Sequence, residues 1–231
     1  LGDVYKRQVL FLFYCFSVGW AQTVPPCTLE ITDAETFARD WTVIDVNSDV
    51  SANTWAYNDG NAMYMQDKSN AADDWLIAPA VTLEAGKAYK VSAYVKHSST
   101  FGSDKQKIEL KIGTAPTVEG LTTRLVYDES FQSRLFVEKS GTFSPAESGV
   151  FYVGLRCYSE SYNGDLYFQK IVIEEAPVYP AQITDLSIVA GERGAMSATL
   201  SWTWPSSDHL GGALSVSYTH LRAHETAANL V

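Results

Sequence analysis

Three stretches of this chain alternate apolar and polar side chains with a period of two. In Tyr89-Lys-Val91-Ser-Ala93-Tyr-Val95-Lys-His97, Val91, Ala93 and Val95 share one face. Lys107-Ile-Glu-Leu-Lys-Ile112 and Phe151-Tyr-Val153-Gly-Leu155-Arg-Cys157 repeat the pattern. A period of two sends successive side chains to opposite sides of a strand. One sheet face is then buried and the other wet, as in antiparallel sheets packed face to face. Turn-forming clusters punctuate the runs at Glu84-Ala-Gly86, Ser98 to Asp104, Ser140-Gly141, Ser144 to Gly149 and Asn163-Gly164. Short strands between such punctuation predict an all-β fold, a β-sandwich or jelly roll. Asp165 to Glu175 reads as the closing strand. Only Asp33-Ala-Glu-Thr-Phe-Ala-Arg39 looks helical, with Asp33 at the N-cap, and one short turn is the most expected there.

The two ends read differently from the middle. Lys6 and Arg7 precede the apolar run Val9 to Trp20, which is shorter than the ~20 apolar residues of a spanning helix. Gly19 and Ala21 supply the small residues of a cleavage site, so 1–21 reads as a secretory leader. Leu1 to Gln8 and Val216 to Thr226 resemble translated sequencing adapters, and residues 216–231 are expected to be a foreign tail. His220 and His224 share a helical spacing with Glu225 beside them. The order is not His-Glu-x-x-His and no third ligand is in view, so no metal site is expected there.

Charge narrows the partners. The formal net charge is −10, which argues against nucleic-acid binding, since that needs a basic footprint. It suits an acidic extracellular protein with carboxylates on offer to Ca²⁺. With the leader set aside, the cysteines are Cys27 and Cys157. A secreted chain permits a bridge between them. Alternation puts Cys157 on the apolar face, and two unpaired thiols are the expected state.

Several residue groups invite a functional reading. Asp45-Val-Asn47-Ser-Asp49 sets three oxygen-bearing side chains at alternate positions. Ca²⁺ takes roughly six to eight oxygens, and such a loop brings several to one ion. The competing reading is a polar turn whose Asx side chains bond their own backbone. Asp73 and Asp74 precede Trp75. As ligands they would hold a metal or a glycan; as loop residues they cap a strand with Trp75, Leu76 and Ile77 in the core, the reading that apolar packing favours. Tyr158, Tyr162 and Asn163 lie in the polar segment Tyr158 to Gly164, where ring faces can stack on sugars and the amide can bond hydroxyls. Trp55, Tyr57 and Tyr64 flank a similar loop, with Trp55 read as structural. His97 ends a strand and reads as a satisfied surface histidine. The sequence contains no Gly-x-Ser-x-Gly, Walker or zinc signature, so no enzyme is expected.

Two motifs carry a resemblance. Trp41-Thr-Val-Ile-Asp45-Val-Asn47-Ser-Asp49 leads to Thr54-Trp55, and Asp73-Asp74-Trp75-Leu-Ile-Ala-Pro79-Ala-Val-Thr-Leu83 follows. Over residues 27–175 this layout resembles the cleaved-adhesin, or choice-of-anchor J, modules of secreted bacterial surface proteins. These are MAM-like jelly-roll sandwiches that bind rather than catalyse. The resemblance implies acidic loops at Asp45, Asn47 and Asp49 that can hold structural Ca²⁺. Where such modules often carry Asp-Asn near the closing strand, this chain has Gln169-Lys170, a departure that weakens a metal site there.

Ala176 to Pro180 reads as a linker, with 176–181 joining the two parts. Beyond it, Ile183 to Ile188 and Ala198 to Pro205 resemble the first two strands of a fibronectin type III domain, with Leu200 and Trp202 toward its core. That fold has about seven strands, so residues 182–215 are expected to be an incomplete domain. The expected function is a non-catalytic extracellular binding or adhesion module of a larger bacterial protein, with a glycan or an extracellular or host protein as ligand and no membrane span. Two alternatives stand beside it: an accessory domain of a secreted peptidase or glycoside hydrolase, and a structural spacer.

Overall fold

The computed structural model describes residues 23–48, 53–65, 68–99, 101–177, 179–194 and 197–209. Residues 1–21, read above as a leader, Asp49 and the histidine-bearing tail lie outside the described residues. The elements in chain order are β1 (Cys27–Glu30), α1 (Ala34–Asp40), β2 (Thr42–Asp45), β3 (Trp55–Asn58), β4 (Asn61–Tyr64), β5 (Asp74–Ile77) and β6 (Val81–Leu83). They continue with β7 (Tyr89–His97), β8 (Gln106–Gly113), β9 (Thr123–Phe131), β10 (Val137–Phe143), β11 (Gly149–Cys157) and β12 (Leu166–Glu175). A hairpin of β13 (Ser187–Ala190) and β14 (Ala198–Ser201) follows.

Two antiparallel sheets form a sandwich. The first runs β10-β7-β12-β4-β3, with β1 also on β12. The second runs β2-β5-β11-β8-β9, with β6 on β11. The chain passes back and forth between the sheets in jelly-roll fashion, so neighbours in a sheet are mostly distant in sequence. The alternating stretches do what their period demands. Val91, Ala93 and Val95 of β7 meet Ile108, Leu110 and Ile112 of β8 and Val153 and Leu155 of β11 in one buried cluster. Edge-to-face aromatic pairs lock it, including Trp41 with Phe168 at 5.3 Å and Phe143 with Phe151 at 5.3 Å. The Trp55 indole, from the first sheet, donates to the Asp74 carbonyl of the second at 3.2 Å and ties the layers together.

Five expectations change on contact with the structure. Ser140 and Gly141, read as a turn, lie inside β10, where they pair with Ser92 and Val91 of β7. The helix is longer than one turn. Asp33 caps it by accepting from the Thr36 amide at 2.7 Å, and seven residues follow. Phe37 and Trp41 are both buried and lie four residues apart, so packing extends the helix to about two turns. His97 is buried rather than at the surface, with Nε2 against the Asn163 carbonyl. Trp75 and Ile77 are buried but do not join Leu76 in the main core. Strand alternation turns them to the opposite face, where they pack with Leu121 in a second cluster. Finally, Leu200 and Trp202 are exposed, as are Ile188 and Trp204. Ile188 and Leu200 belong to a two-stranded sheet, Trp202 and Trp204 follow its second strand, and no second layer faces them among the described residues.

Both cysteines are free, and Cys157 is buried. Cys27 pairs with Ile173, which sits opposite Val91. Cys157 lies opposite Ile108, near the end of the sandwich where β7 finishes at His97. Several residues of strand length therefore separate the thiols, roughly 20 Å at 3.3 Å per residue. A disulfide needs Cα atoms within about 7 Å.

Candidate binding face on the second sheet

The outer face of the second sheet is built by register. Ile44 lies opposite Trp75, Trp75 opposite Arg156, Arg156 opposite Glu109, and Glu109 opposite Tyr127. This row crosses five strands. The next row runs from Ile77 through Gly154 and Lys111 to Arg124. Tyr158 follows Arg156 by two residues, just past the end of β11, with its amide bonded to the Lys107 carbonyl at 3.0 Å.

One end of this face is roofed. The segment between β8 and β9 folds back so that Leu121 lies over Gly154, where any Cβ would collide with its side chain. Gly113 is likewise pressed against the Gly120 carbonyl. Glycine inside a strand marks such close approach. Under this roof Trp75, Ile77 and Leu121 form the second cluster, bordered by Ile44, Val118 and Tyr152.

Charged groups cover what the roof leaves. Arg156 makes a two-pronged pair with Asp73, Nε and Nη2 donating at 2.7 and 2.8 Å, and its Nη1 reaches Glu109 at 3.5 Å. Glu109 also accepts from Arg124 Nε at 2.7 Å and lies 3.5 Å from Lys111 Nζ. Glu109 is only 2% exposed, so its three cations supply what water would otherwise give a carboxylate. The Asp73 hydrogen bonds raise the Arg156 pKa above the ordinary guanidinium value, against the opposing effect of burial. The same cations lie over aromatic rings. Arg156 is 5.7 Å from the Trp75 ring centroid and 5.1 Å from that of Tyr158, and Lys111 is 5.4 Å from Trp75.

At the unroofed end stand two tyrosines. Tyr127 and Tyr158 stack with centroids 5.9 Å apart and planes at 24°. Tyr127 is 50% exposed, carries the Arg124 guanidinium 4.7 Å from its centroid, and donates its hydroxyl to Glu129 at 2.7 Å. Tyr158 is more enclosed, and burial raises its phenol pKa, so the ring stays uncharged. The arrangement is a neutral aromatic surface, fixed by an ion-pair network and fringed with hydrogen-bonding groups.

The residues singled out in the sequence divide among three places. Tyr158 belongs to this face. Tyr162 does not: it sits in the β11–β12 loop at the end of the sandwich, 62% exposed and with φ of +64°. Asn163 is spent on that loop, its Oδ1 accepting from the Lys105 amide at 3.2 Å and its Nδ2 donating to the Glu160 carbonyl at 3.0 Å. Behind it, Gln106 Nε2 donates to the Gly164 carbonyl at 2.5 Å, and Ser159 and Cys157 both donate to Gln106 Oε1. Asp45 ends β2 opposite Asp74, and Asn47 lies in the β2–β3 connection. Asp45 Oδ1 accepts from the Ser48 amide at 2.7 Å, and Asn47 Nδ2 donates to the Ala71 carbonyl at 2.7 Å. Among the described residues no three His, Cys, Asp or Glu side chains gather as a metal site would require. Asp73 is an ion-pair partner of Arg156, and Asp74 is buried at the start of β5. Sequence reasoning missed Tyr127, Arg124, Arg156 and Glu109. The one available signal was Gly154 inside an apolar strand, which foretells something lying close to that face.

No family model matches the sequence, and no curated protein matches it either. Solved structures of similar architecture include the K3 cleaved adhesin domain of Lys-gingipain from Porphyromonas gingivalis. It is 12% identical, with 64% of this chain and 97% of that one covered and a TM-score of 0.47. The CBM22-1 xylan-binding domain from Paenibacillus barcinonensis Xyn10C is 14% identical, covering 67% and 97%, with a TM-score of 0.38. A xylanase 10B fragment of Clostridium thermocellum comprising CBM22-1 and GH10 modules with xylohexaose is 16% identical. There 66% of this chain and 28% of that one are covered, with a TM-score of 0.44.

Proposed function

We propose that this protein is a non-catalytic extracellular binding module whose ligand is a glycan held on the unroofed end of the second sheet. The observation that carries the reading is the half-exposed Tyr127 ring, stacked on Tyr158 and flanked by Arg124. A sugar ring offers an apolar C–H face and a rim of hydroxyls. An aromatic face meets the first, and guanidinium and carboxylate groups meet the second. Asp73 and Glu109 are spent on guanidinium groups, and Glu129 accepts from the Tyr127 hydroxyl. That suits holding side chains still rather than moving protons, which calls for a group poised to exchange one.

Rigidity supports the same reading. A ligand pays less ordering entropy on a surface whose side chains are already fixed. Here the floor is Trp75, and the Asp73–Arg156–Glu109–Arg124 chain holds the groups above it. The test is binding to a panel of immobilised glycans, with Tyr127→Ala as the variant. Wild type is expected to bind at least one glycan. Tyr127→Ala is expected to weaken it about tenfold or more, with an unchanged melting temperature, in line with ~1.5 kcal/mol or more for a stacked aromatic. Equal binding by both proteins would move the site elsewhere. Binding of a host protein with no glycan bound would replace the reading with protein adhesion.

A further inference from the structure

We infer that this face selects uncharged saccharides and discriminates against acidic ones, an inference that rests on the glycan reading above. The cations of the face are Lys111, Arg124 and Arg156, and its anions are Asp73, Glu109 and Glu129. They cancel. Each anion is engaged within the face: Asp73 by Arg156, Glu109 by all three cations, and Glu129 by the Tyr127 hydroxyl. The bordering charges are paired too, Lys107 with Glu160 at 2.8 Å and Lys139 with Asp128 at 2.7 Å.

An acidic glycan would need an uncompensated cation to offset the loss of water around its carboxylate or sulfate. Arg124, the more exposed guanidinium, is held on Glu109 through Nε at 2.7 Å, and Arg156 already has both prongs on Asp73. Drawing it away would strand Asp73 and unbalance the buried Glu109. The wider field acts in the same direction. A chain of formal charge −10 repels polyanions before they arrive. What remains for recognition is ring stacking on Tyr127 and hydrogen bonds from dipolar, charge-balanced pairs, and these suit a neutral sugar.

The experiment titrates the full chain with neutral polysaccharides (β-glucan, xylan, mannan) and with polygalacturonate and heparin, at 0.05 and 0.5 M NaCl. The expected result is binding to a neutral polysaccharide, with Kd changing less than about twofold between the two salts. Salt screens charge attraction but leaves stacking largely unaffected. Polygalacturonate and heparin are expected to bind at least about tenfold more weakly. Glu129→Gln leaves one cation unbalanced at the exposed edge. It is expected to raise affinity for polygalacturonate about threefold at low salt, without moving the melting temperature. Preferred binding of polygalacturonate or heparin by the wild type, weakened tenfold or more by salt, would overturn the inference and leave the glycan reading standing. No binding to any saccharide would overturn both.

Discussion

The two sheets of this sandwich both turn an alternating set of polar residues away from the core, yet the two outer faces became different objects. On the first sheet most outward side chains are half-buried and keep contact with solvent, Ser92 of β7 being buried. Lys96 spans the Phe136 and Tyr167 rings at 4.8 and 4.5 Å, Lys170 lies 5.1 Å from the Tyr94 centroid, and Lys90 pairs with Glu138 at 2.5 Å. These are amphipathic stems lying on aromatic rings with their charged heads in water. On the second sheet the same kind of outward position holds Trp75, 1% exposed, and the buried Glu109. The difference comes from one loop. The segment between β8 and β9 folds back over Gly154, adds a third layer and takes the middle of the face out of water. A covered polar face must satisfy every charge it encloses, so it acquires a network; an open one need not.

The comparison can be broken or sharpened by substitution. The largest effect is expected at Trp75. Trp75→Ala empties the space beneath Arg156 and the roof, and should cost about 3–5 kcal/mol of stability. In a domain of this size that corresponds to a fall of roughly 10 °C in melting temperature. A fall of only a degree or two would mean that the second cluster is not a core at all. The next effect is a contrast. Glu109→Gln leaves three cations without their shared carboxylate and is expected to destabilise by about 2–3 kcal/mol. Glu138→Gln on the first sheet removes a partly exposed pair and should cost under about 1 kcal/mol. Urea midpoints of the two variants measure the gap, and equal midpoints would erase the distinction drawn between the faces. The smallest effect is expected from Lys96→Ala, at about 0.5–1 kcal/mol for its ring contacts. A loss as large as that of Glu109→Gln would show the first face to be just as structured.

Much of the sandwich was legible in the sequence because its determinants are local. The period of two in Tyr89–His97 and Phe151–Cys157 set both the strands and their inward faces, and the structure buries Val91, Ala93, Val95, Val153 and Leu155 accordingly. Asp33 could be read as a cap because its partner, the Thr36 amide, is three residues away. The burial of Cys157 followed from the alternation of its own strand. Helix length escaped because Phe37 and Trp41 are held by tertiary packing. His97 escaped because its position at a strand end suggested solvent, whereas the loop carrying Asn163 closes over it.

The candidate site was legible only in part. Tyr158 stood out as an aromatic beside a polar loop, but its stacking partner Tyr127 lies on a strand that is distant in sequence and adjacent in the sheet only through register. Arg156 and Asp73 are 83 residues apart, and Arg156 and Glu109 are 47 apart. Alternation says that Arg156 and Glu109 point outward; it does not say which others point outward beside them. The amide of Asn163 is engaged within its loop for a related reason. An amide in a turn reads as a free hydrogen-bonding group until the neighbouring loop arrives to use both its ends.

By itself, then, the sequence determined the strands β7, β8, β11 and β12, their buried faces, the helix cap and the acidic character of the whole chain, since each depends on residues within a few positions of one another or on a simple sum of charges. Only the tertiary structure decided which outer face would be roofed, where Tyr127 meets Tyr158, and how three cations converge on Glu109. Those arrangements depend on register between distant strands and on one loop folding back over two glycines. No local preference encodes either, because the energy that fixes them comes from contacts made only after the chain has folded.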